Sequence, residues 1–199
     1  MRAKLSHPMF VILFTIFLDM LGFGILIPVI PLLLADPTSS YYLLPKSLNI
    51  GQGYILLGLL TAIFPLGQLF STSIVGEFSD KYKRKKILML CLIARFFAYL
   101  IFSLGIITAN IPLLFLSRLL DGAASGNIAV AQAAIADVTV PANRAKNFGL
   151  MGAAFGFGFI IGPFLGGKLS DPTISPLFTA VTPFLFAAFL CLLNILLLV

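Results

Sequence analysis

The sequence predicts an all-α membrane protein: six transmembrane helices arranged as a three-plus-three inverted repeat. Three observations predict it. The 199 residues are 60% hydrophobic and 10% charged, with a mean hydropathy of +1.09, whereas a soluble domain carries roughly a quarter of its residues as charges. Six apolar runs, at about 8–34, 52–75, 87–109, 112–135, 148–167 and 176–199, approach or exceed the ~20 residues a helix needs to cross a hydrocarbon core. The second run closes on Gly76-Glu77-Phe78-Ser79-Asp80, and a similar string, Gly167-Lys168-Leu169-Ser170-Asp171, closes the fifth run 91 residues later. Those two ends would lie on opposite membrane faces, as inverted repeats require.

Taken in order, each run carries its own polar signature. The first follows a basic N-terminus, but it is too long for a signal-peptide core and no small-residue cleavage site follows it. At 100° per residue its Thr15, Asp19 and Gly22 share one stripe. On the second run Gly58, Thr61, Pro65, Gln68 and Thr72 do the same. The third holds Arg95, and the fourth aligns Arg118, Asp121, Ser125 and Gln132. The fifth has seven glycines between Gly149 and Gly167, of which Gly158, Gly162 and Gly166 stack on one face and permit close helix approach. Pro163, between them, removes a backbone donor. The sixth is almost wholly apolar.

The cations fix an orientation. With the N-terminus in the cytoplasm, the inside segments hold Arg2, Lys4, Lys81, Lys83, Arg84, Lys85, Lys86, Arg144 and Lys146, and the outside segments hold only Lys46 and Lys168. The positive-inside rule favours this assignment, with both termini cytoplasmic; the chain is expected in the cell (inner) membrane. The formal charge of +6 is therefore a topology signal rather than a nucleic-acid surface, since five of the thirteen Lys/Arg crowd into 81–86. Contact between Lys83 to Lys86 and anionic lipid is expected, at about 1 kcal/mol per cation near the surface. Cys91 and Cys191 lie inside apolar runs without metal-ligand spacing, and one His offers no ligand cluster, so neither a metal nor a cofactor is expected. No nucleophile–base–orienter set or phosphate loop is visible, so an enzyme is not expected.

Asp19, Arg95, Arg118 and Asp121 are the ionisable residues inside runs. Each costs about 2.5–3.5 kcal/mol at a helix centre on insertion scales, so each needs a partner or a wet cavity. Two acids and two bases balance. They are either fixed ion pairs or a set in which one acid exchanges a proton. Arg118 and Asp121, three residues apart, can pair on one helix face. Arg95 is expected to turn inward, toward an acid on the first or fourth run. Thr15, Gln68, Ser125 and Gln132 are candidate cavity-lining residues.

Several of these strings resemble the major facilitator superfamily. Gly76 to Lys85 resembles its loop motif between helices two and three, with Gly76, Asp80, Arg84 and Lys85 in place and Lys83 standing at the usual second glycine. Gly158-x-x-x-Gly162-Pro163-x-x-Gly166-Gly167 resembles the fifth-helix motif of its drug/proton antiporter branch. Leu18-Asp19 with Pro28 and Pro31 is similar to that branch's first helix, and Arg118-Leu119-Leu120-Asp121-Gly122 to its fourth, with Asp121 in place of glutamine. The stretch from Arg118 to Gly167 looks most like the tetracycline-efflux group. The resemblance implies the N-terminal half of a twelve-helix fold and proton antiport exporting small amphiphilic, tetracycline-like compounds. It also implies a cytoplasmic gate at Asp80 and a flexing seam at the glycines of the fifth helix. A metabolite transporter of the same fold is the alternative, as is a half that transports nothing alone. The expected partner is a C-terminal six-helix half or a second copy of the chain.

Overall fold

A computed structural model describes residues 7–45 and 48–198. Arg2, Lys4, Lys46 and Val199, which entered the topology reading, lie outside the described residues. The order is α1 (His7–Leu34), α2 (Ile50–Lys81), α3 (Arg84–Ile107), α4 (Ile111–Ala124), α5 (Asn127–Val138), a 3-10 turn (Pro141–Asn143), α6 (Arg144–Leu169) and α7 (Thr182–Leu198). The spans Met9–Leu34, Ile50–Lys81, Arg84–Ile107, Ile111–Val138 and Pro141–Leu169 are long and apolar enough to cross a membrane. The sixth, α7, has 17 residues, about 25 Å of helix. All backbone polar groups of a membrane span must be satisfied within it, which is why these runs are helices. Large apolar side chains such as Leu69, Phe70 and Ile160 stand exposed on the outside, where lipid or another apolar protein surface suits them better than water.

The ends are set by local chemistry. Asn49 and Gln52 form a capping box that starts α2: Gln52 N donates to Asn49 Oδ1 at 2.8 Å, and Asn49 N donates to Gln52 Oε1 at 2.9 Å. Asn110 caps α4 by accepting from Leu113 N at 3.3 Å. Three boundaries differ from the expected ones. The string Gly76 to Lys81 is not a loop but the last turns of α2, and Arg84, Lys85 and Lys86 begin α3, leaving Tyr82 and Lys83 as the connection. Lys83 there has φ −63°, so the turn does not need the glycine that the motif usually carries. The fourth span is two helices, broken at Ser125–Gly126, where a Cβ on Gly126 would meet Ser71 O and Val75 at 2.9 Å. The sixth span starts at Thr182 rather than 176, because Thr179 and Thr182 hydrogen-bond to each other and to the backbone of a preceding turn.

The packing repeats. A Cβ on Gly158 of α6 would meet Phe17 O, Met20 and Leu21 N of α1, and one on Gly67 of α2 would meet Leu119 O, Gly122 and Ala123 N of α4. Gly67 and Gly158 are 91 residues apart, and each of the paired contact residues is 102 apart. The same offsets carry the contact of Gly24 with Gly162 onto that of Gly126 with Ser71. α1–α3 and α4–α7 are therefore two copies of one three-span unit, with α4 and α5 together forming the first span of the second copy.

α1 is the most buried span, and α2 and α6 are the most exposed. Two apolar cores result. One gathers Leu21 to Leu34 of α1 with Phe102 and Phe184; the other gathers Met9, Ile12 and Ile16 with Ala131, Ile135 and Met151. Asp19 falls between them along α1.

Candidate functional site

Between the two cores lies a layer of buried charge. Asp19 (α1), Arg95 (α3), Arg118 and Asp121 (α4) are each no more than 3% exposed. Arg95 occupies the centre. Its Nη1 pairs with Asp19 Oδ1, its Nε donates to Asp121 Oδ1 at 3.0 Å, and its Nη2 donates to Ser125 Oγ at 2.7 Å. Arg118 Nη1 stands 3.0 Å from Asp121 Oδ2 as an ion pair without hydrogen-bond alignment, and its guanidinium lies 4.9 Å over the ring of Phe102. Asp19 Oδ1 also accepts from Asn127 Nδ2 at 3.3 Å, while Asp19 Oδ2 has no hydrogen-bond partner among the described residues.

This arrangement answers the question of Arg95: it meets the acids of both the first and the fourth span. Each placement has a local cause. Arg118 and Asp121 are one turn apart on α4 and so project to one face. The break after Ala124 puts Ser125 at the C-cap of α4, beside its Oγ acceptor, Asp121 O, at 2.9 Å. Close packing brings α1 near: a Cβ on Gly22 would run into the Tyr99 hydroxyl of α3.

The other sequence candidates scatter around this layer. Thr15 is buried one turn away, donating to Val11 O at 2.9 Å and accepting from Asn194 Nδ2 at 2.8 Å. Gln68 is half-buried on α2, and Gln132 is exposed on α5. The break at Ser125–Gly126 resets the helical phase, so Gln132 does not continue the stripe of Arg118, Asp121 and Ser125. Gly158, Gly162 and Gly166 are filled by α1, with Phe17 O, Leu21 O and Ile25 O only 2.5–2.7 Å from where a Cβ would sit. The seam these three glycines make is thus inside the chain rather than a face left open for another half. α6 runs on through Pro163, which packs against Gly24, and nothing lies within 4 Å of a Cβ on Gly167.

A second cluster sits at the basic end of α2 and α3. Arg84 Nε donates to Asp137 Oδ2 at 2.6 Å, and Arg84 Nη1 lies 3.4 Å from both Asp80 Oδ1 and Ser79 Oγ. A Cβ on Gly76 would only just reach contact with Ala129, at 4.0 Å. The motif residues therefore tie α2, α3 and α5 together in this chain. Lys85 joins Arg84, Leu88 and Leu197 in lining an apolar cavity of about 520 Å³.

Sequence reasoning missed Asn127, Asn194 and Asp137. Each had a signal: a polar residue inside or just past an apolar run. None falls on the stripe counted from Arg118: at 100° per residue Asn127 and Asp137 come out on other faces, and Asn194 is on the last span.

Comparison with known proteins follows the same lines. Residues 12–199 match one family along nearly the whole chain. The chain belongs to the Major Facilitator Superfamily. Members of this superfamily are multi-pass integral membrane transport proteins, not enzymes, and they act on small molecules. The chain is 34% identical over 184 residues to the class H tetracycline resistance protein of Pasteurella multocida, covering 92% of this chain and 41% of that protein. It is 35% identical over 194 residues to the class C tetracycline resistance protein of Escherichia coli, covering 98% and 44%. It is also 34% identical over 168 residues to the quinolone resistance protein NorA of Staphylococcus aureus, covering 84% and 39%. Among solved structures it resembles the human organic anion transporter MFSD10, with a TM-score of 0.73 at 25% identity over 96% of this chain and 46% of that one. It shares its fold with a D-xylose-proton symporter at a TM-score of 0.78 and 16% identity, over 96% and 47%. The chain thus spans about two fifths of the length of the curated relatives it matches.

Proposed function

We propose that this chain acts as the N-terminal half of a proton-coupled antiporter exporting small amphiphilic compounds of the tetracycline-like class, with Asp19 as its proton-exchanging group. The observation that carries the reading is the buried layer of Asp19, Arg95, Arg118 and Asp121. A layer of four charges inside a lipid-embedded bundle is expensive, and a transporter has a use for it. Asp121 faces two guanidinium groups, Asp19 faces one and keeps an unpartnered oxygen. Movement of α3 against α1 during alternating access would separate Arg95 from Asp19 and leave that carboxylate to take a proton. Each elementary charge carried across 100 mV supplies about 2.3 kcal/mol, in addition to any pH gradient.

The tetracycline and quinolone resistance relatives support the substrate class. The positive-inside bias supports cytoplasmic termini, and in this reading the membrane is the inner one. Arg84, Asp80 and Lys85 would serve as the cytoplasmic gate in this reading, and the exposed faces of α2 and α6 would meet a C-terminal half or a second copy. A half cannot close a cavity built between two halves, so the chain alone should carry no flux.

The test is reconstitution in liposomes, with and without a second six-helix half, following extrusion of a fluorescent tetracycline under an imposed pH gradient. Flux only in the paired assembly, lost in Asp19→Asn at equal protein density, is the expected result. Gradient-driven flux from a chain shown to be monomeric, or an Asp19→Asn assembly with wild-type rate and stoichiometry, would refute the proposal.

A further inference from the structure

Above the charge layer, toward the C-terminal end of α1, a cavity of about 210 Å³ opens between α1, α2 and α4. Its walls include Phe23, Ile27, Ile30, Leu57 and Phe64, with the Thr61 side chain at the exposed surface of α2. Among the described residues Arg118 is the one ionisable residue lining it. That guanidinium is fully buried, yet among the described residues Nε and Nη2 make no hydrogen bond, and Nη1 has the unaligned ion pair with Asp121 beside the Phe102 ring. A guanidinium carries five N–H donors and no acceptor, and a buried donor without an acceptor is costly.

We propose that this cavity is a binding subsite for the ring end of a ligand bearing an uncharged oxygen acceptor, such as a ketone or amide carbonyl, with Arg118 as the recognising donor. Size, charge and chemistry each narrow the class. A whole drug-sized molecule needs roughly 300–1,000 Å³, so this cavity takes one ring system of a larger molecule. An ammonium group would face the Arg118 cation, with no acid among the described residues lining the cavity to offset it. A carboxylate would add a net negative charge to a four-residue layer that is already balanced, two acids against two bases. A carbonyl oxygen meets the unpartnered donors without disturbing that balance. The Thr61 hydroxyl does not compete, because it donates to the Leu57 and Gly58 carbonyls at 3.0 and 2.9 Å.

The inference rests on the reading of the chain as a transporter half, and its test is kept apart from transport. Benzophenone, an apolar ring ketone that photocrosslinks to nearby C–H groups, is irradiated with the purified chain in lipid nanodiscs, and labelled residues are mapped by mass spectrometry. Labelling at Ile27, Ile30 or Leu57 is expected. Competition on the unaltered chain then reads recognition: acetophenone should suppress that labelling, toluene should do so about ten- to a hundredfold less well, and benzoate and benzylammonium should be weaker than acetophenone. Thr61→Phe, which fills the cavity mouth from an exposed position, should abolish labelling there, while Thr61→Ser retains it. Labelling confined to the lipid-facing surface, equal competition by toluene, stronger competition by benzoate or benzylammonium, or full labelling in a folded Thr61→Phe chain would overturn the proposal. Labelling as described with no gradient-driven flux in any assembly would keep the subsite and remove the transport reading.

Discussion

The two three-span units share a backbone plan but differ in how they spend their charge. Offsets of 102 and 91 residues superpose Thr15 on Ser117, Asp19 on Asp121, Gly67 on Gly158 and Ser79 on Ser170. Even small bonds are repeated: Ser79 Oγ donates to Gly76 O at 2.8 Å and Ser170 Oγ to Gly167 O at 3.1 Å. The acids are thus equivalent, but the arginines are not. The first unit places its arginine on its third span, at Arg95, whereas the third span of the second unit carries uncharged Asn194. The second unit places Arg118 on its first span, where the first unit has Ile16. Asp121 therefore holds two guanidinium partners and Asp19 shares one. The repeat gives each unit one acid of the layer, and the break in symmetry gives the two acids different partners; on that difference we assign Asp121 as an anchor and Asp19 as the exchanging group.

The largest effect should come from the residue that both units share. Arg95→Met leaves two buried carboxylates without it, and breaking a buried pair costs about 3–5 kcal/mol. We expect the variant to lose most of its folded, monodisperse population in detergent, and Asp19→Asn in the same chain to restore part of it. Equal thermal stability of Arg95→Met and wild type would show that the layer is not held through Arg95.

Next come the equivalent glycines. A Cβ would sit 2.5 Å from Phe17 O at Gly158 and 3.0 Å from Leu119 O at Gly67, and overpacking of this kind typically costs about 1–3 kcal/mol. Gly158→Ala should lower the melting temperature more than Gly67→Ala, and both more than Gly152→Ala, where nothing lies within 4 Å. A reversed order would break the correspondence between the two seams.

How far the sequence carries is visible in these same residues. Apolar run length is a local property, so six spans were readable, as was the spacing that relates Gly76–Asp80 to Gly167–Asp171. The glycine stripe on α6 was also readable, but a stripe does not name the helix that fills it, and that helix is α1 of the same chain. The four buried charges were legible as a set, yet the partners of Arg95 depend on the relative rotation of α1, α3 and α4, which no single run encodes. Gln132 was misaligned for a simpler reason: extrapolating 100° per residue across Ser125–Gly126 assumes a continuous helix, and the chain breaks there to let α2 approach.

A smaller test uses two turns outside the spans that share a local fold although the repeat does not relate them, since Asp171 corresponds to Asp80 rather than to Asp36. Asp36-Pro37-Thr38 and Asp171-Pro172-Thr173 fold alike, each carboxylate accepting from the hydroxyl and backbone N–H of its threonine. The threonine hydroxyl is the main reason that both carboxyls are held below the ordinary value of 3.8. A depressed carboxyl contributes stability that is present above its unfolded value and lost as pH falls through the folded one. Thr38→Val and Thr173→Val should each shift the titration of the adjacent aspartate upward, toward 3.8, in carboxyl-detected NMR. A shift at one turn alone would mean that the two turns are not equivalent.

The central claim is that Asp19, not its counterpart Asp121, exchanges the proton, and infrared difference spectroscopy of the membrane-reconstituted protein reads this directly. As pH is lowered, a carboxylic-acid C=O band from a buried, protonated aspartate should grow in. The account predicts that this band vanishes in Asp19→Asn and persists in Asp121→Asn. A band that survives Asp19→Asn and disappears in Asp121→Asn would contradict it.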